Sequence, residues 1–277
     1  RSPGQYLPGL VPEPTSVRDI GRWQIITKNP RGMLRSAVWN PGDTQYALAE
    51  ANNIRIYDAG SFFESAILIG HSEPVREVVW HPESDRLASC SQDGSVRLWT
   101  STGRPTHLLE GHTGPVYQGA WSPDGTQLAT SGADGTVRLW SADGELLRTL
   151  NDAGRHVFDV AWSSDGQQLA TVGGDMFKRL PDEPPIDNSL RMWDVASGAL
   201  IRQINPLVAE SALCVGWRPD GSQIAVGFGS PTYPYPEVEG RIKLWNADGT
   251  FAAEVGPETG SVRVLAWDPS GSRLAFG

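Results

Sequence analysis

The chain has 277 residues and a formal net charge of −9. Its length suffices to bury a large core, either as one all-β domain or as two ordinary domains. Nucleic acids are bound mainly through lysine and arginine, so the acidic balance argues against a nucleic-acid partner. No apolar stretch approaches the ~20 residues of a membrane-spanning helix, and no membrane partner is expected.

The composition favours short strands and tight turns. Glycine and proline are abundant, at 31 and 21 residues, and they occur without low-complexity runs. The two cysteines, Cys90 and Cys214, occupy different positions of the repeat described below, so we expect two small buried side chains rather than a disulfide. The N-terminal residues do not resemble a signal peptide. Together with the expected absence of a disulfide, this predicts a cytoplasmic location.

Residues 1–21 differ in kind from the rest of the chain, because they contain four prolines and several glycines. Such a composition predicts an extended tether rather than a packed element. The remaining residues, 22–277, are predicted to form one repeat domain.

An internal repeat dominates the chain. Six segments share a tryptophan, a turn and a short apolar run, and their marker tryptophans are Trp39, Trp80, Trp121, Trp162, Trp217 and Trp267. Successive spacings are 41, 41, 41, 55 and 50 residues. Three equal periods indicate a repeated structural unit, and the two longer ones indicate insertions.

The third unit shows how each repeat divides into four short strands. The first strand ends at Trp121 and is followed by a Pro-Asp-Gly turn, in which proline pre-sets φ and glycine accepts a positive φ. The predicted strands of this unit are Val116–Trp121, Leu128–Ser131, Val137–Trp140 and Leu146–Leu150. Apolar and polar residues alternate in the third strand, as in a half-covered sheet.

The repeat resembles the WD-repeat family. The resemblance rests on the pairs Gly70-His71 and Gly111-His112, on turn aspartates and on third-strand aromatics. The turn aspartates are Asp93 and Asp134, and the third-strand aromatics are Tyr57, Trp99, Trp140, Trp193 and Trp245. It implies an all-β fold, a β-propeller of four-stranded antiparallel blades. Propellers of the TolB type also use Trp-Ser-Pro-Asp-Gly, but the Gly-His pairs and third-strand tryptophans favour WD repeats.

The resemblance also implies two buried hydrogen-bonded sets. These are His71 with Asp93 and Trp99, and His112 with Asp134 and Trp140. The resemblance does not decide which hydroxyl completes each set: it is that of Ser89 or Ser91 in the first set, and that of Thr130 or Ser131 in the second. The other units carry Pro30, Ala153, Val208 and Glu258 where the family has histidine, so we expect packing to hold their blades together.

Five repeats are full and the sixth is short, since it ends at Gly277 within its second strand. The segment 23–26 precedes the first unit as a fourth strand would, and in this family such a strand usually completes the last blade. We therefore expect one piece of a seven-bladed ring, with further residues or another chain completing it, because open sheet edges invite pairing.

No catalytic signature is present in the chain. Metal-binding Cys-x-x-Cys and His-Glu-x-x-His, phosphate-binding Gly-x-x-x-x-Gly-Lys-Ser and the nucleophile motif Gly-x-Ser-x-Gly are all missing. The five histidines are dispersed. We therefore expect no catalytic residues, no metal and no cofactor.

Two insertions and one aligned position mark a candidate binding face. The insertions, residues 176–188 and 229–239, extend the same connection in neighbouring units and contain Phe177, Arg179, Tyr233 and Tyr235. The position four residues before each marker tryptophan should lie on that same face, and we call its occupants the rim residues: Arg35, Arg76, Tyr117, Phe158, Leu213 and Arg263. Aromatic side chains and arginines are frequent in binding hot spots, and arginine selects anionic groups.

The predicted function is therefore a non-catalytic scaffold that binds a protein or peptide. A related alternative is a sensor or autoinhibitory domain of a larger signalling protein. A different class is a TolB-like or hydrolase-like propeller enzyme, which would need carboxylates or a metal at the channel mouth. The rim residues include neither an acid nor a histidine.

Overall fold

The described part of the chain consists of strands and turns. The computed structural model describes residues 34–151, 156–174, 187–205, 210–230 and 239–277. Five four-stranded antiparallel sheets and one two-stranded sheet occur in these residues, and none of them is helical. The all-β propeller prediction is confirmed at the level of its blades. No described segment forms a helix long and apolar enough to span a membrane.

Each full sheet contains four strands in chain order. The first blade comprises β1 (Leu34–Trp39), β2 (Gln45–Glu50), β3 (Asn53–Asp58) and β4 (Glu64–Leu68). The second blade comprises β5 (Val75–Trp80), β6 (Arg86–Ser91), β7 (Val96–Thr100) and β8 (Pro105–Leu109). The third blade comprises β9 (Val116–Trp121), β10 (Gln127–Gly132), β11 (Val137–Ser141) and β12 (Leu146–Leu150).

The later units follow the same plan. The fourth blade comprises β13 (Val157–Trp162), β14 (Gln168–Gly173), β15 (Leu190–Asp194) and β16 (Leu200–Ile204). The fifth blade comprises β17 (Ser211–Trp217), β18 (Gln223–Gly229), β19 (Glu239–Asn246) and β20 (Phe251–Thr259). The sixth unit contributes β21 (Leu265–Trp267) and β22 (Leu274–Phe276).

The core lies between the faces of neighbouring blades. One apolar cluster joins Ile54 and Ile56 of the first blade to Val78, Leu87 and Trp99 of the second, all of them at most 1% exposed. Equivalent clusters join the later blades in turn. The second strands bury side chains on both faces, so the sequence supplies apolar or small residues at nearly every position of them. The fourth strands are mostly exposed.

The marker tryptophans also join neighbouring blades. The indole N–H of Trp162 donates to the carbonyl of Ala120 in the preceding blade at 2.8 Å, and Trp80 donates likewise to Val38 at 3.3 Å. At these positions the tryptophan fixes its blade against the preceding one, whereas the indole N–H groups of Trp121 and Trp217 have no hydrogen-bond partner in the described part of the chain.

The turn after the marker tryptophan depends on glycine. Gly125 has a φ of 68°, and a Cβ there would lie 2.4 Å from the imidazole of His81 in the preceding blade. His81 Nε2 lies 2.9 Å from the Gly125 carbonyl. The turn thus requires glycine both for its backbone conformation and for the close approach of the neighbouring blade.

Several predicted segments lie outside the described residues. They are the tether at 1–21, the strand-like segment at 23–26 and most of both insertions, including Phe177, Arg179, Tyr233 and Tyr235.

Candidate partner-binding face

The rim residues of the first five blades occupy β-bulges. In β1, Leu34 is opposite Glu50 and Ser36 is opposite Ala49, so Arg35 between them has no partner in β2. The same interruption recurs in β5, β9, β13 and β17, at Arg76, Tyr117, Phe158 and Leu213. A bulge leaves one residue out of the ladder and turns its side chain aside, and bulges are frequent beside functional sites. Each of these side chains is half-buried.

The sixth rim residue, Arg263, is placed differently. It precedes β21, it is exposed, and its guanidinium donates to the carbonyl of Ser230 at 2.8 Å. Ser230 directly follows β18 and lies at the start of the second insertion. Arg263 is therefore associated with the fifth blade, and the structure does not bring it into contact with Arg35 or Arg76 among the described residues.

Three neighbouring rim residues contact one another. The guanidinium of Arg76 lies 5.5 Å from the centroid of the Tyr117 ring, a cation–π distance. The Tyr117 ring lies 5.5 Å from that of Phe158, and His156 stacks on Phe158 at 6.0 Å with an angle of 5° between the planes. Burial raises the pKa of the Tyr117 hydroxyl, opposed by the charge of Arg76. A continuous aromatic surface thus adjoins an arginine.

Arg76 is held by a second neighbour as well. With the Gln92 amide oxygen turned towards it, Gln92 accepts from Arg76 Nε at 3.1 Å and also from Nη2. Burial lowers the pKa of Arg76, and the nearby charge of Arg35 lowers it further. No carboxylate of the described residues forms an ion pair with either arginine. Two like charges therefore lie close together without a counterion from that part of the chain.

The insertions leave their sheets beside the bulges. In the fourth blade Gly173, the last residue of β14 before the first insertion, is opposite Val157, the residue before Phe158. In the fifth blade Gly229 is opposite Ser211 at the start of the inner strand. The connections that the insertions extend therefore begin on the same face as the rim residues.

A polar layer lies one position further along the inner strands. The hydroxyl of Ser36 donates to Glu77 Oε1 at 2.9 Å and accepts from the amide of Val78 at 3.2 Å. Asp159 accepts from the amide of Val215 in the next blade at 2.8 Å. These bonds connect successive blades around the channel, so the polar layer has a structural role.

The two acids of this layer have raised pKa values. Burial raises the pKa of Glu77 to about 8; the hydrogen bond from Ser36 opposes this rise, and the charge of Asp159 adds a smaller contribution to it. Burial also raises the pKa of Asp159 to about 7, although the amides of Val215 and Val160 and the side chain of Gln118 oppose it. Near neutral pH Glu77 is therefore largely protonated, and Asp159 is about half protonated.

The second blade contains the first complete hydrogen-bonded set. The indole of Trp99 donates to Ser89 Oγ at 2.8 Å, and Ser89 Oγ lies 2.7 Å from His71 Nε2. His71 Nδ1 lies 2.9 Å from Asp93 Oδ2. Because the indole can only donate, the Ser89 hydroxyl donates to Nε2 and the Nδ1–H donates to Asp93.

The pKa values of this set agree with a neutral imidazole. Burial lowers the pKa of His71, opposed by its hydrogen bond to Asp93. Burial raises the pKa of Asp93, but hydrogen bonds from Ser95 and from His71 outweigh burial and lower the pKa to about 2. In this set, hydrogen bonds between uncharged side chains therefore run from Trp99 through Ser89 to His71 and end at the Asp93 carboxylate.

The third blade repeats this arrangement. Trp140 donates to Thr130 Oγ1 at 2.9 Å, and Thr130 Oγ1 lies 3.0 Å from His112 Nε2. Asp134 Oδ2 lies 3.0 Å from His112 Nδ1 and accepts from the amide of Thr113 at 3.0 Å. Between the hydroxyls left open by the sequence, the structure uses Ser89 and Thr130.

The neighbouring blades retain less of the set. In the fourth blade Trp193 still donates to Thr171 Oγ1 at 2.9 Å. In the fifth blade Trp245 packs against Phe228 edge to face at 6.4 Å, and Val226 occupies the position of the hydroxyl. Apolar packing replaces the hydrogen bonds there.

Other candidate sites are weaker. No group of three histidines, cysteines, aspartates or glutamates that could hold a metal occurs among the described residues. An open groove of about 410 Å³ lies on the opposite face between the third and fourth blades, beside Leu147, Arg148 and Gln167. Arg148 donates there to the carbonyls of Ala196 and Ser197 at 2.8 and 2.7 Å, so its guanidinium already has protein acceptors.

Comparison with known proteins identifies the repeat. The model of the WD domain, G-beta repeat, matches residues 63–100, 103–141 and 144–194. The protein transport protein SEC13 of Phaeosphaeria nodorum is 36% identical over 77 residues, which cover 27% of this chain and 24% of that protein. The nucleoporin Nup37 of Drosophila melanogaster is 34% identical over 65 residues, 23% of this chain and 20% of that protein.

A third relative has a more descriptive name. The SIR4-interacting protein SIF2 of Saccharomyces cerevisiae is 32% identical over 99 residues, which cover 33% of this chain and 18% of that protein. The matched regions thus span about a quarter or less of the length of each relative.

Proposed function

Because the chain belongs to the WD-repeat family, we propose that it is a non-catalytic scaffold whose protein or peptide partner docks on the face that carries the rim residues. One observation carries the proposal: a bulge turns one side chain aside at the same position of five successive inner strands. Three of these side chains, Arg76, Tyr117 and Phe158, contact one another.

The chemistry of this face supports a macromolecular partner. Tyrosine, arginine and other aromatic side chains that are half-buried lose little conformational freedom on binding and form the usual anchors of interfaces. The yeast relative is named for its interaction with another protein. Cytoplasmic residence, and service as a sensor within a larger protein, are compatible with the same face and belong to the proposal.

The proposal is tested by blocking one face at a time. Burial raises the pKa of the Cys90 and Cys214 thiols, and both side chains are buried, so they react slowly with maleimides. A single exposed cysteine introduced by Glu73→Cys, beside the bulge of β5, therefore takes a maleimide poly(ethylene glycol) selectively. We expect this label to abolish retention of proteins from an extract of the chain's own cells.

The matched control places the same polymer on the other face. Asp143 lies in the turn between β11 and β12, where its side chain is 87% exposed. Labelled Asp143→Cys should retain the same proteins as the unlabelled chain. Loss of retention with the Asp143 label, and none with the Glu73 label, would place the partner on the opposite face and refute the proposal.

A further inference from the structure

Arg35 and Arg76 are two positive charges on the rim that no carboxylate of the described residues neutralises. Arg76 is half-buried, with the Tyr117 ring against its guanidinium and Gln92 accepting from its Nε and Nη2. Arg35 lies close enough to lower the pKa of Arg76, second in effect to burial. Half-buried like charges are costly without a counterion.

The counterion does not come from the described part of this chain. The chain is acidic overall, with a net charge of −9, and several of its other arginines have carboxylate partners: Arg55 with Glu50 and Glu64, Arg191 with Asp187, and Arg241 with Glu254. Arg35 and Arg76 have no carboxylate partner among the described residues, and both belong to the rim. An anion brought by a partner would neutralise them.

The contacts of Arg76 leave its guanidinium oriented for that task. The cation–π contact with Tyr117 and the Gln92 amide oxygen, which accepts along one edge of the guanidinium, fix the plane of that group. The N–H groups on its other edge therefore all point in one direction. Gln92 therefore acts as a positioning residue. A fixed guanidinium fork suits a carboxylate, which it binds through two parallel hydrogen bonds.

The adjoining surface selects a second chemical feature. Tyr117 and Phe158 follow Arg76 at successive distances of 5.5 Å, and His156 extends the aromatic surface. An anion on Arg76 and an apolar side chain on Phe158 are thus separated by no more than about three residues of extended chain. The two features fit one short peptide segment.

We propose that the rim recognises a peptide in which an aspartate or glutamate lies within three residues of an aliphatic or aromatic side chain. This inference rests on the proposed function and names its partner's chemistry.

A random dodecapeptide library displayed on phage tests the inference with the full chain as bait. The wild-type chain should enrich peptides with the stated acid and apolar spacing. For an enriched peptide measured by fluorescence anisotropy, Arg76→Gln should weaken binding about tenfold or more. Arg76→Lys should weaken it less, because the charge remains while the planar fork is lost. The control Arg104→Gln, at an exposed turn on the other face, should leave it unchanged.

The possible outcomes distinguish failure of this inference from failure of the proposed function on which it rests. Enriched peptides that need Tyr117 but show no acidic preference would overturn the inference and leave the proposed function standing. A peptide with phosphoserine in place of the acid that binds more than about tenfold tighter would overturn the preference for carboxylate. Failure to enrich any peptide would overturn this inference alone. Binding of an enriched peptide that is insensitive to both Tyr117→Ala and Arg76→Gln would overturn both proposals.

Discussion

Replacing Asp134 by alanine is expected to lower the free energy of unfolding by about 3 kcal/mol, the upper end for removal of one partner of buried donors. Asp134 accepts from the amides of Thr113 and Thr136 and from the Thr136 hydroxyl, as well as from His112. The substitution leaves these donors without their acceptor, and the His112 side chain among them is only 1% exposed. Urea denaturation followed by tryptophan fluorescence measures the change.

The pH dependence of this effect has a definite sign. Burial raises the pKa of Asp134, but its hydrogen bond and charge attraction with His112 outweigh burial and hold the pKa well below the usual value. The stabilisation is therefore present above the unfolded pKa of ~3.9 and is lost as the pH falls towards the lower folded pKa.

The matched control for this prediction is Asp143→Ala, at an exposed turn of the same blade. Among the described residues, the one cationic group near Asp143 is Arg86, at 3.8 Å, and exposed pairs contribute little. Equal losses of stability in the two variants would contradict the structural role assigned to the hydrogen-bonded set.

The second large effect is expected in binding. Tyr117→Ala combined with Phe158→Ala removes two adjoining aromatic anchors, each of which is typically worth ~2 kcal/mol or more in an interface. Affinity for a captured partner should fall at least about a hundredfold, as measured by surface plasmon resonance. Both residues lie outside the strand ladder and are half-buried, so the thermal melting curve should change little.

An apolar pair elsewhere in the third blade provides the control. Leu146 and Leu147 on the outer strand β12 are 47% and 50% exposed, so their joint replacement by alanine removes a similar apolar area from a different surface. This variant should bind normally. If it loses the partner and the rim variant does not, the partner docks on the outer strands.

The fold could be predicted because the repeat is written in residues whose roles are local. Marker tryptophans at a spacing of 41 residues and Pro-Asp-Gly turns specify strand ends wherever they occur. The same alignment located the rim residues, although it did not reveal that a bulge sets each of them apart. A bulge depends on how two strands pair, which a single strand's sequence does not show.

The alternation of side chains along a strand does not distinguish between residues on the same side of it, as Ser89 and Ser91 show. The two serines are two positions apart and so lie on the same side of β6, which left the choice between them open. The structure separates them by position along the strand: Ser89 reaches His71 and Trp99, while Ser91 at the strand end donates to the Glu73 carbonyl at 2.9 Å.

Two residues of the candidate site were missed by sequence reasoning. Gln92 lies in a turn where the pattern describes only the backbone, and its contact with Arg76 depends on the packing of two strands. His156 was not assigned to the rim, whereas it stacks on Phe158. The available signal was an aromatic ring two positions before Phe158 in the sequence.

The central claim is tested most directly by hydrogen–deuterium exchange of the full chain with and without its bound partner. We predict slower exchange at the bulges around Arg76, Tyr117 and Phe158, and unchanged exchange at the opposite-face turns 142–145 and 247–250. Protection confined to those turns or to the outer strands, with none at the bulges, would contradict the account.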